Sequence, residues 1–229
     1  MMATLSGISS MATRALLAEL ADAYRARSGV AAAFESVGGV DAARRVQAGE
    51  PFDVVVLAAD AIDKLAAAGR VLAESRTPLV RSGVAIAVPA GAPRPDVSTA
   101  GALREAVRAA RSIGYSTGPS GVALLALFER WGLTAELKPR LVQAPAGVPV
   151  GTLLARGDVS LGFQQLSELM HVEGIDLLGP MPPGVEIDTT FTAAVCAASA
   201  RADAARALIE FLAGPQADAA RRRQGMTPA

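Results

Sequence analysis

The sequence predicts an α/β protein of mixed, mostly parallel sheets with helices on both faces. Three observations lead there. Short apolar, β-branched runs alternate along the chain with longer helical stretches. Of the 229 residues, 51% are hydrophobic but only 4% aromatic, which fits helices packed closely on a sheet. A strand, a serine-bearing turn and an apolar helix follow one another twice, once in each half. A chain of this length makes one large domain or two small lobes, and the duplication favours two.

The elements follow in order. Thr4 to Ile8 reads as a strand, Ser9-Ser10 as a turn, and the residues from Met11 as a helix that Gly29 stops. Val30 to Phe34 is a short strand. Gly38-Gly39 opens a helix that ends at Gly49-Glu-Pro51. Asp53 to Ala59 is continuously apolar after its first residue, as a strand buried on both faces requires. Asp60 then caps a helix over 61–68. Residues 82–88 form another strand, followed by a proline-rich turn. A helix over 98–110, a strand over 112–115 and a helix over 120–131 come next. Residues 137–142 read as a strand whose Pro139 confines it to an edge. A helix over 150–156, a strand over 159–163 and a helix from Gln164 to Leu169 follow, and 179–184 is a linker. A β-like stretch over 187–198 and helices over 201–213 and 215–223 close the chain. The simplest topology sends this last segment back to the first lobe. That gives lobe 1 as 1–83 plus 190–229, lobe 2 as 84–189, and hinge crossings near 82–88 and 185–195.

Composition removes several function classes. Lys and Arg number 22, as do Asp and Glu, with no basic stripe, so nucleic acid has no electrostatic footprint. Cys196 and His171 are the only residues of their types, which excludes an internal disulfide and leaves a zinc site short of ligands. No metal and no cofactor is expected: the chain lacks GxGxxG and P-loop motifs. Cys196 reads as a small core residue and His171 as a surface one. No stretch approaches the length of a membrane span. Met1-Met-Ala runs almost directly into the first strand, so the chain as written is expected in the cytoplasm, or in the periplasm if a leader was removed.

The chemistry concentrates in Tyr115-Ser-Thr-Gly-Pro-Ser-Gly121. The first turn of a helix leaves N–H groups unpaired and partly positive. Small residues let an anion approach, and serine hydroxyls add donors. Helix capping by serine and proline is the competing explanation. The second occurrence at Ser9-Ser10 favours the anion, because two such helix starts can grip one small anion from both sides.

These stretches also carry a family resemblance. Ser9 to Arg14, Arg45 to Val56, Tyr115 to Gly121, Pro149 to Gly157 and Phe211 to Gln216 together resemble the type II periplasmic solute-binding proteins, in their molybdate-binding-like branch. The resemblance spans essentially the whole chain. It implies a two-lobed fold with an oxyanion in the cleft between lobes, and an ABC transporter permease as partner if the chain is exported. It assigns ligand contacts to Ser9 or Ser10, Gly38, Gly39, Ser120, Gly121, the backbone from Val148 to Val150, and Gln165 near a position usually held by tyrosine. Glycines at 38–39 and the missing tyrosine remove two hydroxyls of a molybdate site. The loop at 115–121, the Pro149-Val-Gly and Ala155-Arg-Gly pair, and Gly162-Phe-Gln-Gln-Leu-Ser-Glu-Leu169 look more like the aconitate isomerase subgroup, which moves the expected ligand toward a polycarboxylate.

Two function classes stand: a non-catalytic binder of a small oxyanion or carboxylate, and an isomerase of an aconitate-like acid. Either needs donors around each carboxylate. Arg14 can reach one bidentately or stand solvated on its helix. Ser116, Gln164 and Gln165 add donors, with capping as the alternative for the glutamines. Isomerisation needs a base within about 3 Å of a C–H proton. Tyr115 is the leading candidate, with Asp60 and Glu35 behind it; Tyr115 can equally serve only to pack.

Overall fold

The structure, a computed structural model, describes residues 4–229. From the N-terminus it runs β1 (Leu5–Ser10), α1 (Arg14–Ser28), β2 (Ala32–Val37), α2 (Gly39–Gln47), β3 (Val54–Ala58), α3 (Ala59–Ala67) and β4 (Thr77–Pro89). Then come α4 (Ala100–Ala109), β5 (Ile113–Tyr115), α5 (Pro119–Arg130), α6 (Thr134–Leu137), β6 (Leu141–Gln143), α7 (Val150–Ala155), β7 (Leu161–Gln165), α8 (Leu166–Leu169) and β8 (Ile175–Pro180). The chain ends with β9 (Asp188–Val195), α9 (Ala202–Ala213), α10 (Asp218–Arg223) and β10 (Met226–Pro228). It divides into two compact units. Unit 1 holds the residues up to Ser82 with Thr189–Ala229, and unit 2 holds Gly83–Asp188.

In unit 1, β1 pairs in parallel with β2 and β3, and β9 joins β3 antiparallel. β10 adds antiparallel to the first half of β4. Alternation along β3 sorts the side chains to two faces. Val54 and Val56 pack with Leu16, Leu17 and Leu20 of α1 and Leu208 of α9. Val55 and Leu57 pack with Val46 of α2 and Ile62 of α3. Every residue of β3 is buried, as a strand covered on both faces must be. The far end of β3 is fastened by Asp53, whose carboxylate accepts from the Ser6 N–H (2.8 Å), the Ser199 hydroxyl (2.7 Å) and Arg201 (2.5 Å). Burial works to raise the Asp53 pKa, but these hydrogen bonds outweigh it and hold the carboxyl below its ordinary value.

In unit 2, β5 pairs in parallel with β6 and β7, while β4 meets β7 and β8 antiparallel. Val84, Ile86 and Val88 of β4 face Leu103 of α4 and Leu124, Leu127 and Phe128 of α5. Ala85 and Ala87 face Val150, Leu153 and Leu154 of α7. The small residues fall on the face where a short helix lies close.

Several expected boundaries move. β1 continues through Ser9-Ser10, so those serines end a strand instead of forming a turn. A 3₁₀ turn at Met11–Thr13 separates it from α1. Residues 137–142 are not one strand: Pro139 lies in a 3₁₀ turn, where its fixed φ is an asset, and only Leu141–Gln143 pairs. β7 extends over Gln164 and Gln165, which were expected in a helix. The linker expected over 179–184 overlaps the end of β8, a strand the sequence did not show. Asp60 is not a cap; the cap position is Ala58, and exposed Asp60 pairs with Lys64 at 3.7 Å.

Candidate functional site: an oxyanion seat at helix starts

Within unit 1, the C-terminal end of β1 meets the start of α2. A Cβ at Gly39 would lie 3.9 Å from Ser10 Oγ, so the two positions adjoin. No side chain caps α2 at Gly38. The serines, however, are engaged. Ser9 is fully buried, and its hydroxyl lies 2.8 Å from that of Ser36 on β2. Ser10 Oγ accepts from the Ala12 N–H at 3.4 Å, so it caps the 3₁₀ turn as the alternative reading held. Arg14 is exposed as the first residue of α1.

In unit 2 the loop after β5 behaves differently. The cap position of α5 is Gly118, and no side chain caps the helix; Pro119 takes its first position. Ser116 Oγ and Ser120 Oγ lie 2.9 Å apart. Neither hydroxyl is spent on the helix end, so capping does not account for them. Gly121 is required by close approach, since a Cβ there would meet the Ser116 carbonyl oxygen at 1.9 Å. Without that side chain, the loop folds directly over the first turn of α5. Tyr115 is partly buried against the core of unit 2, and its carbonyl accepts from Ala144 N at 2.8 Å.

Register brings a second strand end to this loop. Tyr115 of β5 pairs with Phe163 of the parallel neighbour β7, so Ser116, the first residue past β5, comes beside Gln164, the penultimate residue of β7. Gln164 is buried, and its amide is held at both ends. Its Oε1 accepts from the Val150 N–H at 2.7 Å, and its Nε2 donates to Glu168 Oε2 at 2.7 Å. Burial pushes the Glu168 carboxyl up to about 7, against the lowering effect of the Gln164 bond. Gln165 is buried at the end of β7.

The backbone donors expected at Val148 and Val150 need correction. The Val148 N–H bonds the Pro145 carbonyl (3.0 Å) and the Val150 N–H bonds Gln164, so both are committed within the protein. Glu35 is exposed and paired with Arg45 at 2.5 Å, which lowers its pKa and suits it poorly as a base. Burial pushes the Cys196 thiol up to about 12, with Asp53 adding to the effect, so it is not a nucleophile. Among the described residues no cluster of His, Cys, Asp and Glu is fit for a metal, and no helix is long and apolar enough to cross a membrane. Each helix start also carries one solvent-facing valine: Val40 in α2 is 63% exposed and Val122 in α5 is 66% exposed.

Residues 5–227 match the profile of the bacterial extracellular solute-binding proteins. The chain belongs to that family. It is 39% identical over 231 residues to a protein named aconitate isomerase from a Pseudomonas species, covering 98% of this chain and 88% of that one. Its fold is that of the periplasmic molybdate-binding protein of Azotobacter vinelandii, with TM-score 0.81, 21% identity, and 97% and 98% of the two chains covered. The sulfate-binding protein of Mycobacterium tuberculosis superposes with TM-score 0.81 at 18% identity, covering 99% of this chain and 87% of that one. The family member thus has the two-unit α/β architecture of the solute-binding proteins, with the 115–121 loop and the Gln164 strand end together in unit 2.

Proposed function

We propose that this chain binds a small polycarboxylate or oxyanion, held in unit 2 by serine hydroxyls and the start of α5. One observation carries the reading: in unit 2, the Ser116–Ser120 hydroxyl pair sits over an α5 start that no side chain caps. An anion there receives the one O–H donor that the bonded pair leaves free, the positive end of a twelve-residue helix, and Gln164 near the end of the neighbouring strand. In unit 1, the α2 start at Gly38 and Gly39, which no side chain caps, and exposed Arg14 are a separate candidate set of donors. The exposed valines favour a polycarboxylate over molybdate, because its carbon skeleton gives an apolar side chain something to cover. As a binder the protein works outside the cytoplasm and hands its ligand to a transporter permease.

A second reading is favoured by the 39% identity to a protein named aconitate isomerase over nearly the whole chain. In it, a base takes the acidic C–H proton of the tricarboxylate, the electron pair forms the new C=C, and the former alkene carbon takes up a proton. Donors at the carboxylate beside that carbon stabilise the enediolate-like charge. Tyr115 borders the loop and is the candidate for handling the proton.

A thermal-shift panel of molybdate, tungstate, sulfate, citrate and both aconitates tests the binding. A ligand at about 100 times its Kd stabilises by about 2.7 kcal/mol. Stabilisation by the tricarboxylates is expected; stabilisation by molybdate and tungstate alone overturns the carboxylate reading. Proton NMR of cis-aconitate with the protein separates the two functions, with the trans isomer appearing only if the protein is an isomerase.

A further inference from the structure

We propose that Glu168 is a positioning residue of the unit 2 anion seat, coupling anion binding to uptake of a proton. The inference rests on the reading that an anion sits beside Ser116 and Gln164. Its own basis is a chain of three groups. The Glu168 carboxylate accepts from Gln164 Nε2 at 2.7 Å, and Gln164 Oε1 accepts from the Val150 N–H at 2.7 Å. An amide has a donor end and an acceptor end, and here both are assigned. The Val150 N–H fixes which end of Gln164 faces α7, and Glu168, by taking one Nε2–H, sets where the second points. Gln164 lies at the strand end beside Ser116, so this orientation sets a donor of the seat. Without Glu168 the amide keeps its bond to the Val150 N–H, but its Nε2 end loses the partner that holds the second N–H in place.

The same chain places a second negative charge close behind the ligand. Glu168 is one amide group removed from the strand end. β7 and α7 make the most extensive contacts with α8, and neither carries a titratable residue to compensate it. On the following turn His171 and Glu173 are exposed. Burial and the Gln164 bond are the causes acting on the carboxyl, which titrates near 7. An anion arriving at the seat raises the proton affinity of Glu168 by about tenfold, the order expected of a nearby like charge. Binding then takes up about 0.4 proton per ligand at pH 7. Affinity falls about fivefold from pH 6 to pH 8, because the ionised carboxylate opposes the ligand.

The test uses the full chain. Carbon-13 NMR of glutamate-labelled protein without ligand is expected to show one carboxyl titrating near pH 7, absent from Glu168→Gln. Titration calorimetry with trans-aconitate, sulfate and molybdate at pH 7, in buffers of different ionisation enthalpy, then counts protons. Uptake by the wild type, lost in Glu168→Gln together with the pH slope of Kd, is the expected result. A merely structural Glu168 leaves proton count and pH slope unchanged. Binding without proton uptake, or no carboxyl titrating above pH 6, overturns the proposal and leaves the anion reading standing. No binding of any of the three ligands overturns the anion reading instead. The wild-type arms hold even if the variant fails to fold.

Discussion

At the end of β1, Ser9 Oγ donates to the Ser10 carbonyl and lies against Ser36 Oγ, and Ser10 Oγ accepts from the Ala12 N–H, so both hydroxyls are spent on the backbone of unit 1. After β5, Ser116 and Ser120 bond each other, and the helix that follows is left without a side-chain cap. The two segments look alike in sequence, each a serine-bearing junction between a strand and a helix. Their difference shows that a serine at a helix start reports a ligand seat only when its hydroxyl is not already spent on the backbone. By that criterion the proposed seat belongs to unit 2.

The comparison breaks most readily at Gly121. Gly121→Ala puts a methyl where the Ser116 carbonyl stands, so the loop must move off α5. We expect a loss of about 1–3 kcal/mol in stability, as for overpacking, with loss of ligand-induced stabilisation. Thermal melts with and without trans-aconitate check both, and an unchanged ligand response removes the seat from unit 2.

Glu168→Gln acts next, and its sign depends on pH. The folded pKa lies near 7, above the unfolded value of about 4.5. The group's contribution to stability is therefore fully present below about pH 4.5 and is lost as pH rises through 7. Relative to the variant, the wild type should lose about 1–3 kcal/mol between pH 4.5 and pH 8. Urea melts across that range check the sign; a wild type that gains relative stability with pH contradicts the burial of Glu168.

The smallest effects belong to unit 1. Ser9→Ala removes the partner of Ser36 and should cost about 1 kcal/mol of stability. Ser10→Ala loses a long capping bond and should cost about 0.5 kcal/mol. Chemical denaturation measures both. A stability-neutral Ser9→Ala that weakens ligand binding would make the two serine segments alike again.

Much of this was legible in the chain. β3 announces itself because a strand buried on both faces is apolar at every position. The glycines after α1, α2 and α3 mark helix ends through their left-handed φ. β8 was hidden because Gly179 and Pro180 read as a linker, although the strand pairs with β4 through a register shift that absorbs the irregularity. β7 read one turn short because its last two residues are glutamines; they are polar yet buried. The loop at 115–121 stands out by composition alone, but the commitment of the Val150 N–H does not, since it depends on a side chain fourteen residues away. Glu168 was passed over for the same reason: its raised proton affinity comes from burial, against the lowering effect of the Gln164 bond, and its sequence neighbours do not reveal that burial.

The central claim is that the Ser116–Ser120 pair holds the anion while Ser9 holds the fold. Titration of trans-aconitate into the wild type, Ser116→Ala/Ser120→Ala and Ser9→Ala tests it most directly. The account predicts at least tenfold weaker binding by the Ser116→Ala/Ser120→Ala protein, since each lost hydroxyl donor to a charged group is worth about 1.5–3 kcal/mol, and near wild-type affinity for Ser9→Ala. Equal affinity in the wild type and the Ser116→Ala/Ser120→Ala protein would contradict it.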